Sequence, residues 1–287
     1  MSDLLQRRDR MRAIALLSPA YLWLTAAVFL PLSAMAFFSF LSDVPFGGRD
    51  WHATLDNYRA FFSTLTYATL LWKSLKLGVM VTVLSVIIGF PCALVLAKVI
   101  KGRAREALFL LVILPFWSNS LVRVFSWAIV LRGNGVLDRL VNAVLPWDVK
   151  INLMFSPTAI IIGLVHSYLP YVILTAYLAL QAIDDSLIEA ARSLGAKRLT
   201  ILWRIILPLS APGIVAGTVL IFVPVVGSFM EPRLLGGRLG TYYGTVIEDQ
   251  FVAVFNWPLG AALSFILLAV VLVILAAASP ILRRATA

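Results

Sequence analysis

The residues whose types and spacing could do chemistry fall into two groups. The first is Asp184 to Pro208, DDSLIEAARSLGAKRLTILWRIILP, the longest polar segment between two clearly hydrophobic runs. Ser186 and Glu189 have the Ser-x-x-Glu spacing of a capping box, in which each side chain satisfies an orphan amide of the first helical turn. The spacing predicts a short helix from near Ser186 through Ala190, Ala191 and Leu194, stopped by Gly195 in a left-handed conformation. A second short helix is expected after Gly195, with Leu199, Leu202, Trp203 and Ile206 on one face, Lys197, Arg198 and Arg204 elsewhere, and Pro208 closing the unit. Such a pair is a rigid knob beside a membrane; helix signals alone favour an ordinary amphipathic connector.

The second group lies inside apolar runs: Trp117, Asn119, Ser120, Arg123 and Trp127; His166, Ser167, Tyr168 and Tyr171; and Phe222, Ser228 and Glu231. Polar side chains beside prolines in such runs imply irregular backbone that is buried or lines a cavity. Arg123 can snorkel to the outer surface or line a pathway. Glu231 reads as a pathway carboxylate or a solvated loop charge, and each aromatic as a pathway wall or a packing residue.

Catalytic chemistry is excluded more firmly. There is no Gly-x-x-x-x-Gly-Lys-Ser/Thr phosphate loop, no Gly-x-Ser-x-Gly elbow, no His-Glu-x-x-His helix and no intramembrane carboxylate pair. Cys92 is the single cysteine, beside Pro91 in an apolar run, and His52 and His166 stand apart, so no catalytic residue and no metal site is expected. The chain cannot itself be an ATPase.

The elements that must position these groups are membrane spans. The 287 residues are 61% hydrophobic and 13% charged, where a soluble domain is about half apolar and a quarter charged. The expected class is an all-α membrane protein with six transmembrane helices: about Ala13 to Phe40, Ser74 to Ala97, Ala107 to Leu131, Thr158 to Gln181, Ser210 to Met230 and Leu259 to Leu282. The first is read as an uncleaved anchor, because it is too long for a signal peptide's apolar region. The third is expected to kink at Pro115, and the fourth to be broken and polar in its middle. Asn57 to Phe62 suggests a short interfacial helix, Pro45, Gly47 and Gly48 a turn, and Gly213 and Gly217 a close helix contact.

The charge of +10 falls on the N-terminal segment (Arg7, Arg8, Arg10, Arg12), the loop of Lys98, Lys101, Arg103 and Arg105, the Asp184 to Pro208 stretch, and Arg283 and Arg284. Arg49, Arg59, Arg139 and Lys150 on the other side are mixed with Asp43, Asp50, Asp56 and Asp148. The positive-inside rule then makes both termini and the polar stretch cytoplasmic, and the basic excess calls for no nucleic acid.

Glu189-Ala190-Ala191, Gly195, Ile205, Leu207 and Pro208 match EAA-x3-G-x9-I-x-LP at every fixed position. The stretch thus resembles the signature of bacterial ABC-importer permeases of the type I, MetI-like class. The resemblance runs from the second span to the end and divides the chain into residues 1–70, with the first span and an outer loop, and a permease core of residues 71–287 with coupling helices at about 184–208. It implies that those seven residues dock into a cytoplasmic ATPase, with short Ala190 and Ala191 permitting close approach and Glu189 making a charge-assisted contact.

The stretches Ile113 to Trp127, Leu131 to Asp138 and Phe222 to Gly237 further resemble the first permease subunit of spermidine/putrescine-type importers. Implied partners are a second permease subunit, an ATPase dimer carrying ATP and magnesium, a periplasmic solute-binding protein and membrane lipid, with no cofactor in this chain. The implied cargo is a polyamine; the alternatives are an opine, an aminophosphonate, an iron chelate, or no cargo at all in a scaffold that recruits an ATPase. The resemblance departs at Ser228, where some polyamine-type relatives carry a carboxylate.

Overall fold

In the computed structural model, which describes residues 2–44, 50–145 and 150–286, with side chains for 14, 16–44, 50–145 and 150–279, short polar side chains cap helices at Asn119, Ser156 and Asp184. The turn expected at Pro45, Gly47 and Gly48, with Arg49 and Asp148, lies outside the described residues. The side chains of Arg7, Arg8, Arg10, Arg12, Arg283 and Arg284 lie outside them too. In chain order the helices are α1 (Ser2–Ser39), α2 (Asp56–Ser63), α3 (Leu65–Leu94), α4 (Arg103–Ile113), α5 (Ser120–Leu131), α6 (Val136–Val144) and α7 (Pro157–Gln181). There follow α8 (Asp185–Ser193), α9 (Arg198–Ile201), α10 (Leu207–Val226), α11 (Met230–Gly236), α12 (Tyr243–Val252) and α13 (Trp257–Thr286). The described residues contain no strand beyond an isolated antiparallel bridge between Leu41 and Ala53.

Five helical segments are long and apolar enough to cross a membrane: Leu16–Ser39, Leu65–Val99, Pro157–Gln181, Arg198–Val226 and Trp257–Ser279. Arg103–Trp117 and Ser120–Leu131 make a sixth if the pair, bent by 99°, counts as one span. The expected kink at Pro115 is therefore a break. A tight 3-10 turn, Leu114–Trp117, ends in extended Ser118 and Asn119, and the Asn119 side chain accepts the Leu121 amide at 2.8 Å to start α5 afresh. Conversely, α7 runs unbroken through Pro170, because a proline withdraws one intrahelical bond and the neighbouring Val172, Ile173 and Ala176 are fully packed. Ser156 caps that helix, accepting the Ala159 amide at 3.2 Å, and Pro157 occupies the first turn, where no donor is needed.

The chain divides into two units, Met1–Ser63 with Asp249–Ile266 and Thr64–Glu248 with Leu267–Ala287. In the first, the side-chain amide of Asn57 on α2 donates to the carbonyls of Ser39 and Leu41, and Tyr58 hydrogen-bonds Ser39 at 2.8 Å. The interfacial helix expected around Asn57 is thereby pinned to the end of α1. Along Leu16–Ser39 only Ser39 is buried, so this helix presents apolar side chains to whatever surrounds it.

In the second unit α3, α7 and α10 pack against one another. Glycines set the spacing: a Cβ on Gly213 would stand 2.4 Å from Ala179 Cβ and 2.5 Å from the Thr175 carbonyl, and one on Gly217 would stand 2.5 Å from Thr175 Oγ1. The close contact expected of this pair is formed, between α10 and α7. Gly213→Val should therefore wedge the helices apart at a cost of about 1–3 kcal/mol. A lowered thermal midpoint in detergent would show it, against little change in Gly227→Ala, whose added carbon meets nothing nearer than 3.8 Å.

Candidate functional site

The Asp184 to Pro208 segment is a helix, a glycine turn and a second helix that does not stop. The cap lies two residues ahead of the expected one. Asp184 Oδ1 accepts the Ser186 amide at 2.9 Å, and the Ser186–Glu189 box is not formed. Asp caps as well as Ser does, and starting at Asp185 places Ile188 in the buried face. At the other end Gly195 has φ +80°, the Ala196 amide donates to the Ala191 carbonyl at 3.0 Å, and the Gly195 amide to that of Arg192 at 2.9 Å. This pair of bonds is the Schellman arrangement, which needs a residue free to adopt the left-handed region.

The second helix runs from Arg198 through a π-helical turn, Leu202–Ile206, into α10, so Pro208 sits in the first turn of α10 and closes nothing. Pro208 has no amide to give. The widened turn absorbs the loss, with the Leu207 amide reaching back to the Leu202 carbonyl. It also shifts the faces: Ile201 and Ile206 are buried, with Leu202 and Ile205 packed beside them, while Leu199 and Trp203 stand 69% and 64% exposed.

The signature residues consequently separate. Glu189, Ala190, Gly195 and Pro208 face outward; Ala191 and Ile205 pack against the cluster of Leu96, Ala97, Tyr177, Leu180 and Ile188; and Leu207 is half-buried. Ala191 is thus half-buried, packed within this chain. Leu187 and Leu194 are exposed beside Glu189 and Gly195, giving a tip with apolar side chains around the Glu189 carboxylate. A groove of about 620 Å³ runs between this tip and the end of the Leu65–Val99 segment, lined by Lys98, Asp185, Glu189, Arg192 and Arg198 among apolar side chains.

A second site forms where α5, α7 and α11 meet. A Cβ on Gly163 would stand 2.5 Å from Leu235, and one on Gly236 2.5 Å from Ile160. These two bare positions let α11 lie on α7, carrying Glu231 to the Ser167–Tyr168 turn. Glu231 is 8% exposed and hydrogen-bonds Ser167, so it is not a solvated loop charge. Burial pushes its carboxyl up, opposed by its own backbone amide, then by the Arg123 guanidinium and the Ser167 bond. Arg123 does not snorkel outward; its Nη1 and Nη2 reach the carbonyls of Ser167 and Ser118 at 3.3 and 3.4 Å.

Trp127 meets His166 edge-on at 5.3 Å, Tyr168 lies 6.1 Å from Tyr171, and Phe116, not singled out in the sequence, meets Tyr171 at 4.6 Å. Asn119 serves as the α5 cap and Trp117 is 90% exposed at the break, so neither joins the cluster. Phe222 packs instead with Leu75, Val226 and Val271, over Gly78. Ser228 is buried and its hydroxyl has no partner among the described residues.

Three buried anchors were not read as such from the sequence. Asp138 on α6 accepts the Ile151 amide at 2.7 Å, and Ser74 accepts that of Tyr243 at 2.9 Å. Lys98, taken for a loop charge, lies in a second π-helical turn, Val95–Val99, with a side chain only 11% exposed. Its place at the end of an apolar run, rather than clear of it, was the available signal.

Residues 85–285 match the model of the family described as binding-protein-dependent transport system inner membrane component. The chain belongs to that family. It is 38% identical over 245 residues to the spermidine/putrescine transport system permease protein PotB of Escherichia coli K12, covering 85% of this chain and 88% of that one. To the protein of the same name from Haemophilus influenzae it is 36% identical over 268 residues, 91% and 92% of the two chains. It also shares the fold, at a TM-score of 0.76, 19% identity and full coverage of both chains, with a bacterial ABC transporter involved in the import of the acidic polysaccharide alginate. As a member of the family the chain is a multi-pass inner-membrane permease component, a transporter part rather than a catalytic protein.

The α8 cap yields a sign for pH. The Ser186 amide, and then the Ser186 hydroxyl, hold the Asp184 carboxyl below the usual range. A lowered pKa means that the contribution is complete above the ordinary carboxylate value near 4 and is lost as pH falls through the lowered one. The protection of amides in the first turn of α8, taken relative to their intrinsic exchange rate at each pH, should thus stay high at about pH 5 and fall only in stronger acid. In Asp184→Ala it should be low at both.

Proposed function

We propose that this chain is one permease of an ATP-driven importer that moves a polyamine of the spermidine/putrescine type from a periplasmic binding protein to the cytoplasm by alternating access. What carries the solute class is the likeness to two spermidine/putrescine permeases along nearly their whole length. The chemistry is compatible: a polycation with a methylene chain asks for a carboxylate and for aromatic faces. Glu231 supplies the one, and Tyr168, Tyr171, Phe116 and Trp127 the others, in one cluster.

Six spans, with the bent pair counted as one, leave both termini on the cytoplasmic side, together with Lys98, Lys101, Arg103 and Arg105 and the α8–α9 tip. There the tip docks on a separate ATPase dimer, which binds ATP and magnesium. Glu189, Ala190 and Gly195 present the contact, Ala191, Ile205 and Leu207 shape the tip from behind, and Pro208 stands exposed where the tip runs into α10. Closure of that dimer displaces the tip and opens the permease pair outward; differential contact in the two states is what couples them. The second permease and lipid cover the apolar surface of Leu16–Ser39.

Reconstitution of both permeases, the ATPase and the binding protein in proteoliposomes tests this. ATP-dependent uptake of labelled spermidine is expected, reduced by about tenfold or more in Glu231→Gln, the loss of one charge-assisted hydrogen bond. Glu189→Arg and Gly195→Ala should each abolish stimulation of ATP hydrolysis by the loaded binding protein. Full stimulation and assembly in both variants would sink the docking role.

One observation favours another solute: Arg123 shares the cluster with Glu231, and Ser228 adds no carboxylate. A zwitterion such as an opine or an aminophosphonate would suit that pairing. Titration of the binding protein with spermidine, putrescine and these rivals separates the two readings.

A further inference from the structure

Among the described residues, a lysine ties the tip to the end of the Leu65–Val99 segment. Lys98 Nζ donates to the Ile183 carbonyl at 2.6 Å and to Asp185 Oδ1 at 2.7 Å. Ile183 lies just past the last turn of α7, where carbonyls lack intrahelical partners, and Asp185 is the first residue of α8. One ammonium thus joins the cytoplasmic end of the second span, the end of the fourth and the start of α8. It is placed there by the π-helical turn Val95–Val99, closed by the Ile100 amide on the Val95 carbonyl at 3.0 Å. Around the ammonium, Leu96 and Ala97 pack with Ile183, Ile188 and Ala191, so polar and apolar contacts bind the same two elements.

We infer that Lys98 is a positioning residue that makes the second span move with α8, and that it thereby transmits displacement of the tip into the packed helices. The inference rests on the docking role proposed for the tip. An exposed ion pair would contribute little. Here the lysine side chain is 11% exposed and has two acceptors, whereas Asp185 is 67% exposed, so the stem is fixed and the far end is free to follow the tip. The second span packs on both α7 and α10, which gives the motion a direct route to the helices on either side. A methionine of similar length would fill the same space and leave the Ile183 carbonyl without its donor.

The test uses the full complex of both permeases and the ATPase in nanodiscs, by hydrogen–deuterium exchange with and without ATP plus vanadate, which requires no solute. In the wild type, protection should change in α8 and in residues 95–101 together. In Lys98→Met the change in α8 should persist, while that in residues 95–101 shrinks by at least about fivefold, as both charge-assisted hydrogen bonds are lost. Lys98→Arg should restore much of it. Asp185→Asn, which touches no packing, should give a partial loss and keeps the test decisive if Lys98→Met assembles poorly. A merely structural role would lower basal protection in both segments and leave their nucleotide responses in step. An undiminished response of residues 95–101 in both Lys98→Met and Asp185→Asn would overturn the inference. A wild-type complex whose α8 ignores nucleotide would overturn the docking reading instead.

Discussion

A peptide group inside hydrocarbon has no water to bond, and this chain must satisfy that constraint with fourteen prolines. Each proline in a helix withdraws a donor from the carbonyl four residues earlier. Two irregularities of the fold answer that deficit: before Pro208 a π-helical turn lets α9 run into α10, and after Pro115 the helix gives way altogether and Asn119 starts a new one. The second span runs through Pro91 and ends in a π-helical turn of its own. Pro170 needs none of these, since α7 is buried among α3 and α10 and its neighbours hold it straight.

These irregularities are also what place the functional groups. The turn at Val95–Val99 puts Lys98 under the start of α8. The turn at Leu202–Ile206 rotates Leu199 and Trp203 outward, while Ile201 and Ile206 stay in the core. The break at Ser118 and Asn119 leaves the Ser118 carbonyl for Arg123, so the guanidinium is held at the α5–α7 junction. The two widened turns cost local regularity, which is offset by burial of Leu96, Ala97, Ile201 and Ile206 in them or beside them.

How much of this is written locally decides what could be read from the sequence. Gly195 was legible because only a residue free of a Cβ readily takes φ +80° at a helix end. The spans were legible because length and hydropathy suffice. The cap was misplaced because Asp184 and Ser186 can both cap a helix, and the choice falls to tertiary contacts: Ile188 must face Leu96 and Ala97, and Lys98 holds Ile183 and Asp185. The faces of the second helix failed for a related reason, since a period of 3.6 residues does not survive a π-helical turn. The burial of Glu231 was illegible because it depends on Gly163 and Gly236, far from it in sequence or silent about what they face.

The Arg123–Glu231 cluster follows from the same logic. A guanidinium carries five donors, and two of its nitrogens are already committed to the backbone carbonyls of Ser118 and Ser167, while Nε has no partner among the described residues. Its charge moderates that of Glu231 without occupying the carboxylate as a direct ion pair would. Glu231 is therefore left with acceptor capacity beyond the Ser167 bond, in a place dry enough for charges to interact more strongly than in water. An arginine fixed to backbone is a counter-charge that stays in place whatever the carboxylate meets. Under the transport proposed above, that is what would let one buried carboxylate bind a cation and still release it.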